Sequence, residues 1–237
     1  MQALFFYLLY PLIYLTASLP FWALYRISDF FYLILRITGY RKDVIVQNLR
    51  NSFPDKTPAE IEACTQAYYR YLCDLILETL KTLRTTEQEA KERCLFHTPE
   101  WLTALCKEKR SIILVMGHYG NWEWAGPSFT LNTGFQLVVI YRPLSNTYFD
   151  KMMVKMRTKF GTRITPVSQT LRDMVANRGM LTATAFIADQ TAPQDKAYWT
   201  TFLHQDTAVF TGPEKLGIKF NYPDRLYQCH KTAPRVL

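Results

Sequence analysis

The chain opens on an apolar run, and two hydrophobic periods alternate along the rest of it. From Gln2 to Tyr25 no side chain is charged, a stretch of 24 residues. As one helix it would measure about 36 Å, against a bilayer hydrocarbon core of about 30 Å. Pro11 and Pro20 interrupt the run, which membrane helices tolerate when neighbouring groups satisfy the freed carbonyls. Tyr7, Tyr10, Tyr14, Trp22 and Tyr25 suit the membrane interface. No basic segment leads the run and no small-x-small site ends it, which argues against a cleaved signal peptide. The pattern predicts an N-terminal membrane-anchoring helix, spanning or re-entrant in preference to lying in the membrane plane. The shorter stretch Phe30–Leu35 ends at Arg36 and suits an interfacial segment.

After the turn-rich Asn51–Pro58, a helical period takes over. Thr57, Pro58 and Glu60 form a capping-box signature. Ile61, Tyr68, Tyr69, Leu72, Leu75, Ile76 and Leu80 recur near every 3.6 residues, so a helix is expected to about Leu83. A polar stretch, Thr85–Arg93, leads to a short helix around Pro99–Cys106. Then come continuous apolar runs of the kind that strands buried on both faces show: Ser111–Met116, Leu137–Tyr141, a short one at Arg163–Val167, and Leu181–Ala188. Helical patterns separate them at Trp122–Leu131, Asn146–Phe160 and Ser168–Asn177. Strands alternating with helices predict an α/β fold with a mixed, largely parallel central sheet flanked by helices. Ligands of such sheets collect at the carboxyl ends of the strands, where His118, Arg142 and Asp189 fall. The expected organisation is an anchor and interfacial segment over 1–38, a body over 39–223, and a tail over 224–237 without clear period.

Composition narrows the class. The 237 residues carry a net charge of +8, with 49% hydrophobic and 15% aromatic residues, enough apolar surface to exclude a disordered chain. The five cysteines include no C-x-x-C pair and no histidine at zinc-ligand spacing, and read as reduced thiols. Between residues 26 and 50, Arg26, Arg36, Arg41, Lys42 and Arg50 face only Asp29 and Asp43, which by the positive-inside rule places the body in the cytoplasm. A second basic concentration is Lys151, Lys155, Arg157, Lys159, Arg163, Arg172 and Arg178, against Asp173 alone. It reads either as a solvated helix face or as a surface for an anionic membrane, glycolipid phosphates or an acidic carrier protein. Nucleic acid is excluded as a partner for want of any binding motif. Met152, Met153 and Met156 read as core in preference to an acyl pocket.

The most informative stretch is Gly117-His118-Tyr119-Gly120-Asn121-Trp122-Glu123. On one continuous helix His118 and Glu123 would lie about 140° apart, so they meet only if His118 stands on a strand-to-helix turn that Gly120 permits and Glu123 sits in the first helical turn. A carboxylate on one imidazole nitrogen then fixes the tautomer and raises the basicity of the other, making a general base without an enzyme nucleophile. Alone, H-x4-E is a weak signal. Its place on a glycine-flanked turn after a buried strand strengthens it. No H-E-x-x-H or third ligand argues for metal, and no G-x-S-x-G for serine hydrolysis.

This block resembles the catalytic block of the lysophospholipid acyltransferase superfamily, specifically that of the bacterial lipid A biosynthesis late acyltransferases. Asn48-Leu49 with Ser52-Phe53-Pro54, Tyr141-Arg142-Pro143, Asp150 with Arg157, Ile187-Ala188-Asp189-Gln190 and Thr211-Gly212 are similar to that family's further blocks, in order, over residues 40–217. The resemblance implies a glycerolipid acyltransferase-like fold and transfer of an acyl chain from acyl-acyl carrier protein or acyl-CoA, as co-substrate and with no other cofactor, to a hydroxyl of a lipid A precursor. Other glycolipids or a lysophospholipid remain alternative acceptors, and a catalytically inactive membrane-associated protein a further alternative. It implies His118 and Glu123 as the catalytic pair, Arg157 and Asp189 as further active-site residues, and Arg142, Asn121 and Gly120 as substrate-binding residues, on the cytoplasmic side of the inner membrane. Family members continue past Thr211-Gly212 with an apolar strand, whereas Asp224–Leu237 shows none, so a truncated or altered C-terminus is expected.

Overall fold

The computed structural model describes residues 2–190, 192–193, 197–228 and 235. Six helices precede the first strand: α1 (Gln2–Ser18), α2 (Phe21–Thr38), α3 (Lys42–Ser52), α4 (Pro58–Lys81), α5 (Glu87–Arg93) and α6 (Glu100–Lys107). The body continues as β1 (Ile112–Met116), α7 (Trp122–Asn132), β2 (Gln136–Tyr141), α8 (Thr147–Thr158), β3 (Arg163–Pro166), α9 (Thr170–Ala176) and β4 (Thr182–Ile187). It ends in β5 (Tyr198–Phe202), β6 (Gln205–Val209), α10 (Gly212–Phe220) and β7 (Asp224–Leu226). The fold is α/β, as expected: five strands form one sheet in the order β3-β2-β4-β1-β7, and each pairing in it is parallel.

The sheet is built where the sequence runs apolar. Ile112, Ile113 and Leu114 of β1 are 0–1% exposed, because β1 lies between β4 and β7 with helices over its faces. On β4, Ala183 and Ala185 point into the same core as Phe129, Leu137 and Leu102. Small residues at the centre of the sheet leave room for the large rings above them. The helix predicted after Thr57 forms with its capping box complete, Thr57 and Glu60 bonding each other's backbone N–H.

Four elements differ from the expectation. The N-terminal apolar run is not one helix: the chain breaks at Leu19-Pro20, where Pro20 takes extended angles and Lys81 Nζ, 2.9 Å from the Leu19 carbonyl, satisfies an acceptor at the break. Among the described residues no helix is long and apolar enough to cross a membrane. The polar stretch Thr85–Arg93 contains α5, opened by a second capping box at Thr86 and Glu89. β5 and β6 form an antiparallel hairpin that the sequence reading did not anticipate. Its turn residues Leu203 and His204 take φ of 49° and 60°, a conformation ordinarily signalled by Asn or Gly. Finally, Asp224–Leu226, assigned to a tail without period, adds a parallel edge strand to β1.

α1 and α2 pack on α4, and α1 also reaches α8, with Phe6 stacked on Tyr148 and meeting Phe149 edge to face. Their other sides stay open: Leu4, Leu8, Leu12, Leu15, Trp22 and Ile37 are all at least 60% exposed.

Candidate active site

Strand register builds the site. β1 and β4 are neighbours with Met116 opposite Ile187, and the Ala188 N–H continues the ladder to the Met116 carbonyl at 2.9 Å. Two residues further along each chain stand His118 and Asp189. Oδ2 of Asp189 accepts the His118 backbone N–H at 2.6 Å, and Oδ1 lies 2.7 Å from His118 Nδ1. A carboxylate can only accept, so Nδ1 carries the proton and Nε2 is left as the basic nitrogen. The Trp122 ring system meets the imidazole in a T-shaped contact, the two centroids 4.6 Å apart.

Gly117 makes this approach possible. A β-carbon there would lie 3.1 Å from Asp189 Oδ2, so any larger residue would make the carboxylate give by a few tenths of an ångström. Gly120 supplies the turn, with φ at +62°, and the Tyr71 hydroxyl of α4 donates to its carbonyl at 2.5 Å.

Glu123 sits in the first turn of α7, as the spacing predicted, yet no hydrogen bond joins it to His118. Its carboxylate is held instead by Arg157 of α8, which reaches both oxygens, Nε at 2.9 Å and Nη2 at 2.5 Å. The Glu123 side chain is only 9% exposed, so an ion here needs this two-pronged partner. Burial of Arg157 works against its charge, but the hydrogen bonds and charge of Glu123 outweigh it, and the guanidinium's pKa is raised. Met152 and Met156 are buried and fasten α8 to the core. Asp150, about two turns before Arg157 on α8, accepts the Leu144 N–H at 2.9 Å and so closes the loop after β2.

The remaining candidates separate. Asn121 is 4% exposed, and its amide donates to Glu78 of α4 at 2.8 Å instead of facing the open end of the sheet. Arg142 stands exposed just past β2 and has no hydrogen bond or ion pair with a described residue. The site thus brings together His118 with Asp189 and Glu123 with Arg157, and leaves Arg142 apart. The sequence reading missed Tyr71 and Glu78. With Asp74 they recur at helical spacing on the buried side of α4, and a polar stripe on an apolar period was the available signal.

Chemically, the arrangement offers an imidazole whose Nε2 can accept a proton, and separately a guanidinium fixed by Glu123. Among the described residues no group of three or more His, Cys, Asp or Glu is placed to hold a metal ion. The thiols of Cys73 and Cys94 are buried, and burial, with Asp74 beside it, raises the Cys73 pKa, keeping it protonated. Cys229 lies outside the described residues.

Among curated proteins no significant match to the chain is found. The family model of the bacterial lipid A biosynthesis acyltransferases matches residues 2–228, a span that takes in the site, the N-terminal helices and β7. With nearly the whole chain covered and an open imidazole at the carboxyl ends of its central strands, this protein belongs to the bacterial lipid A biosynthesis acyltransferase family and is an acyltransferase.

Proposed function

We propose that the protein moves a fatty acyl chain from the thioester of an acyl-acyl carrier protein to a hydroxyl of a lipid A precursor, by direct attack with His118 as general base. The observation that carries this reading is the 2.7 Å contact between His118 Nδ1 and Asp189 Oδ1, which leaves Nε2 free to accept a proton. Nε2 takes the hydrogen of the acceptor hydroxyl as its oxygen attacks the thioester carbonyl. The candidate donors for the tetrahedral oxyanion are the backbone N–H groups of Gly120–Trp122 or the guanidinium of Arg157. When the carbon–sulfur bond breaks, the imidazolium returns its proton to the leaving thiolate, so ester and free thiol result and the histidine is restored. Asp189 takes the orienting role first expected of Glu123, and Glu123 serves by fixing Arg157.

The same reading seats the protein on the cytoplasmic face of the inner membrane through the open sides of α1 and α2. Their exposed leucines and Trp22 supply apolar contact, and Arg26, Arg36, Arg41 and Lys42 supply attraction to anionic headgroups. Arg142 and the basic residues of α8 are the side chains proposed to meet the glycolipid or the acidic carrier.

The test is acyl transfer by the full chain from acyl-acyl carrier protein to a lipid A precursor. His118→Ala is expected to lower turnover by about 10²–10⁴-fold. Turnover equal to wild type would refute His118 as the base, and transfer to lysophosphatidic acid alone would move the acceptor to a phospholipid.

A further inference from the structure

Beneath the catalytic turn lies a carboxylate that the chemistry above does not use. Glu78, on α4, is 2% exposed. Oε2 accepts from Asn121 Nδ2 at 2.8 Å, Oε1 from the Tyr25 hydroxyl at 3.0 Å, and the Glu78 backbone carbonyl from Trp124 Nε1 at 3.0 Å. One residue of α4 thereby grips the turn at Asn121 and the first turn of α7 at Trp124. The third hold is Tyr71, two turns earlier on α4, on the Gly120 carbonyl.

The carboxylate also decides which way Asn121 faces. Because it only accepts hydrogen bonds, the amide must present Nδ2 to it. That leaves Asn121 Oδ1 buried and without a hydrogen-bond partner among the described residues. An amide held against its own full satisfaction costs stability, so the orientation is imposed by Glu78. Asn121 links Gly120, at φ +62°, to Trp122, whose ring meets the His118 imidazole. The same short backbone carries the N–H groups proposed above as oxyanion donors.

We infer that Glu78 is a positioning residue for the acyl transfer: its buried carboxylate clamps Asn121 and so sets the Gly120–Trp122 backbone against His118. The inference rests on the proposed role of His118. Glu78 makes no bond to the imidazole, so it acts through Asn121 and not as a partner of the base.

The experiment is steady-state kinetics of the full chain with acyl-acyl carrier protein and a lipid A precursor, with thermal unfolding alongside. Displacing reacting groups by a fraction of an ångström to 1 Å typically costs up to about 10²-fold, so Glu78→Ala is expected to lower kcat by roughly 10–100-fold, with both KM values within about twofold. Glu78→Gln still offers Asn121 an oxygen and is expected to recover kcat to within about threefold of wild type. Glu78→Ala combined with Asn121→Ala is expected to be no slower than Glu78→Ala alone, since the first change already frees the amide. Wild-type kcat in Glu78→Ala, no recovery in Glu78→Gln, or effects that multiply in the double variant would each overturn the inference. Should Glu78→Ala fail to fold, Asn121→Ala alone carries the test, with the same fall in kcat at unchanged KM expected and wild-type kcat overturning it. His118→Ala in the same assay separates the two ideas: an inactive His118→Ala beside a fully active Glu78→Ala sinks only the role of Glu78, whereas an active His118→Ala sinks the reading of the site itself.

Discussion

The carboxylate of Asp189 occupies the space that a side chain on residue 117 would need, with Oδ2 3.1 Å from the position of a Gly117 β-carbon. That carboxylate is tied twice to His118, through the backbone N–H and through Nδ1, so even a shift of a few tenths of an ångström alters how the imidazole is held. Gly117→Ala is therefore expected to lower kcat by about 10–100-fold, while the melting temperature moves by no more than a few degrees. Measuring both on the same preparation checks it, and wild-type turnover in Gly117→Ala would show that Asp189 does not need this position.

Glu123 and Arg157 behave as a unit, because each is the other's answer to burial. Arg157→Lys keeps the charge but loses the planar fork, and is expected to destabilise the fold by about 1–2 kcal/mol, less than the loss of a fully buried pair because Arg157 is partly open to solvent. Arg157→Ala leaves Glu123 charged without its partner and is expected to cost more than Arg157→Lys. Urea unfolding of the three proteins gives the order directly.

Asp224 opens β7 with its carboxylate packed against Gly217 of α10. The residue is exposed, but partial desolvation of its carboxylate against Gly217, helped by the charge of Glu214, raises its pKa above the ordinary 3.8. A raised value in the folded state means that stability is fully present below the unfolded pKa and is lost as pH rises through the folded pKa. Ionised Asp224 thus weakens the fold at neutral pH. Asp224→Asn is expected to raise the melting temperature at pH 7 by roughly 1–3 °C, a gain that disappears on acidification below the ordinary carboxylate range. A gain that persisted unchanged into acid would point to a cause other than charge.

Leu8, Leu12 and Leu15 share one open side of α1. Burying a leucine is worth about 1.5–3 kcal/mol, so replacing all three by serine is expected to weaken partition onto phosphatidylglycerol-containing vesicles by at least about 10²-fold. The melting temperature in detergent should hold, since these side chains leave the core untouched. Vesicle sedimentation reads the first quantity, and undiminished binding would remove α1 from the membrane contact.

Periodicity made much of the fold legible. The apolar runs at Ser111–Met116, Leu137–Tyr141 and Leu181–Ala188 became the three inner strands, and Thr57–Glu60 capped the helix it was expected to cap. Two failures have separate causes. α5 was hidden because Glu87–Arg93 is so polar that no apolar stripe marks it, although its capping box was readable at Thr86 and Glu89. The β5–β6 hairpin was hidden because Leu203 and His204 adopt left-handed angles without the glycine or asparagine that announces such a turn.

The candidate site divides along the same line. That His118 would stand on a strand-to-helix turn, and Glu123 in the first helical turn after it, follows from local chemistry: a buried strand, a glycine able to reverse the chain, and a helix start. Which carboxylate meets the imidazole is a different kind of fact. Asp189 lies 71 residues from His118, and the two touch because β4 was inserted next to β1 in matching register. Arg157, 34 residues from Glu123, removes that carboxylate from the histidine. The sequence by itself determined the inner strands of the sheet, the turn after β1 and the histidine and carboxylates that stand near it. Only the tertiary structure decided their partners, because strand order and helix packing are settled by contacts between distant segments, and a local hydrophobic period carries no information about those.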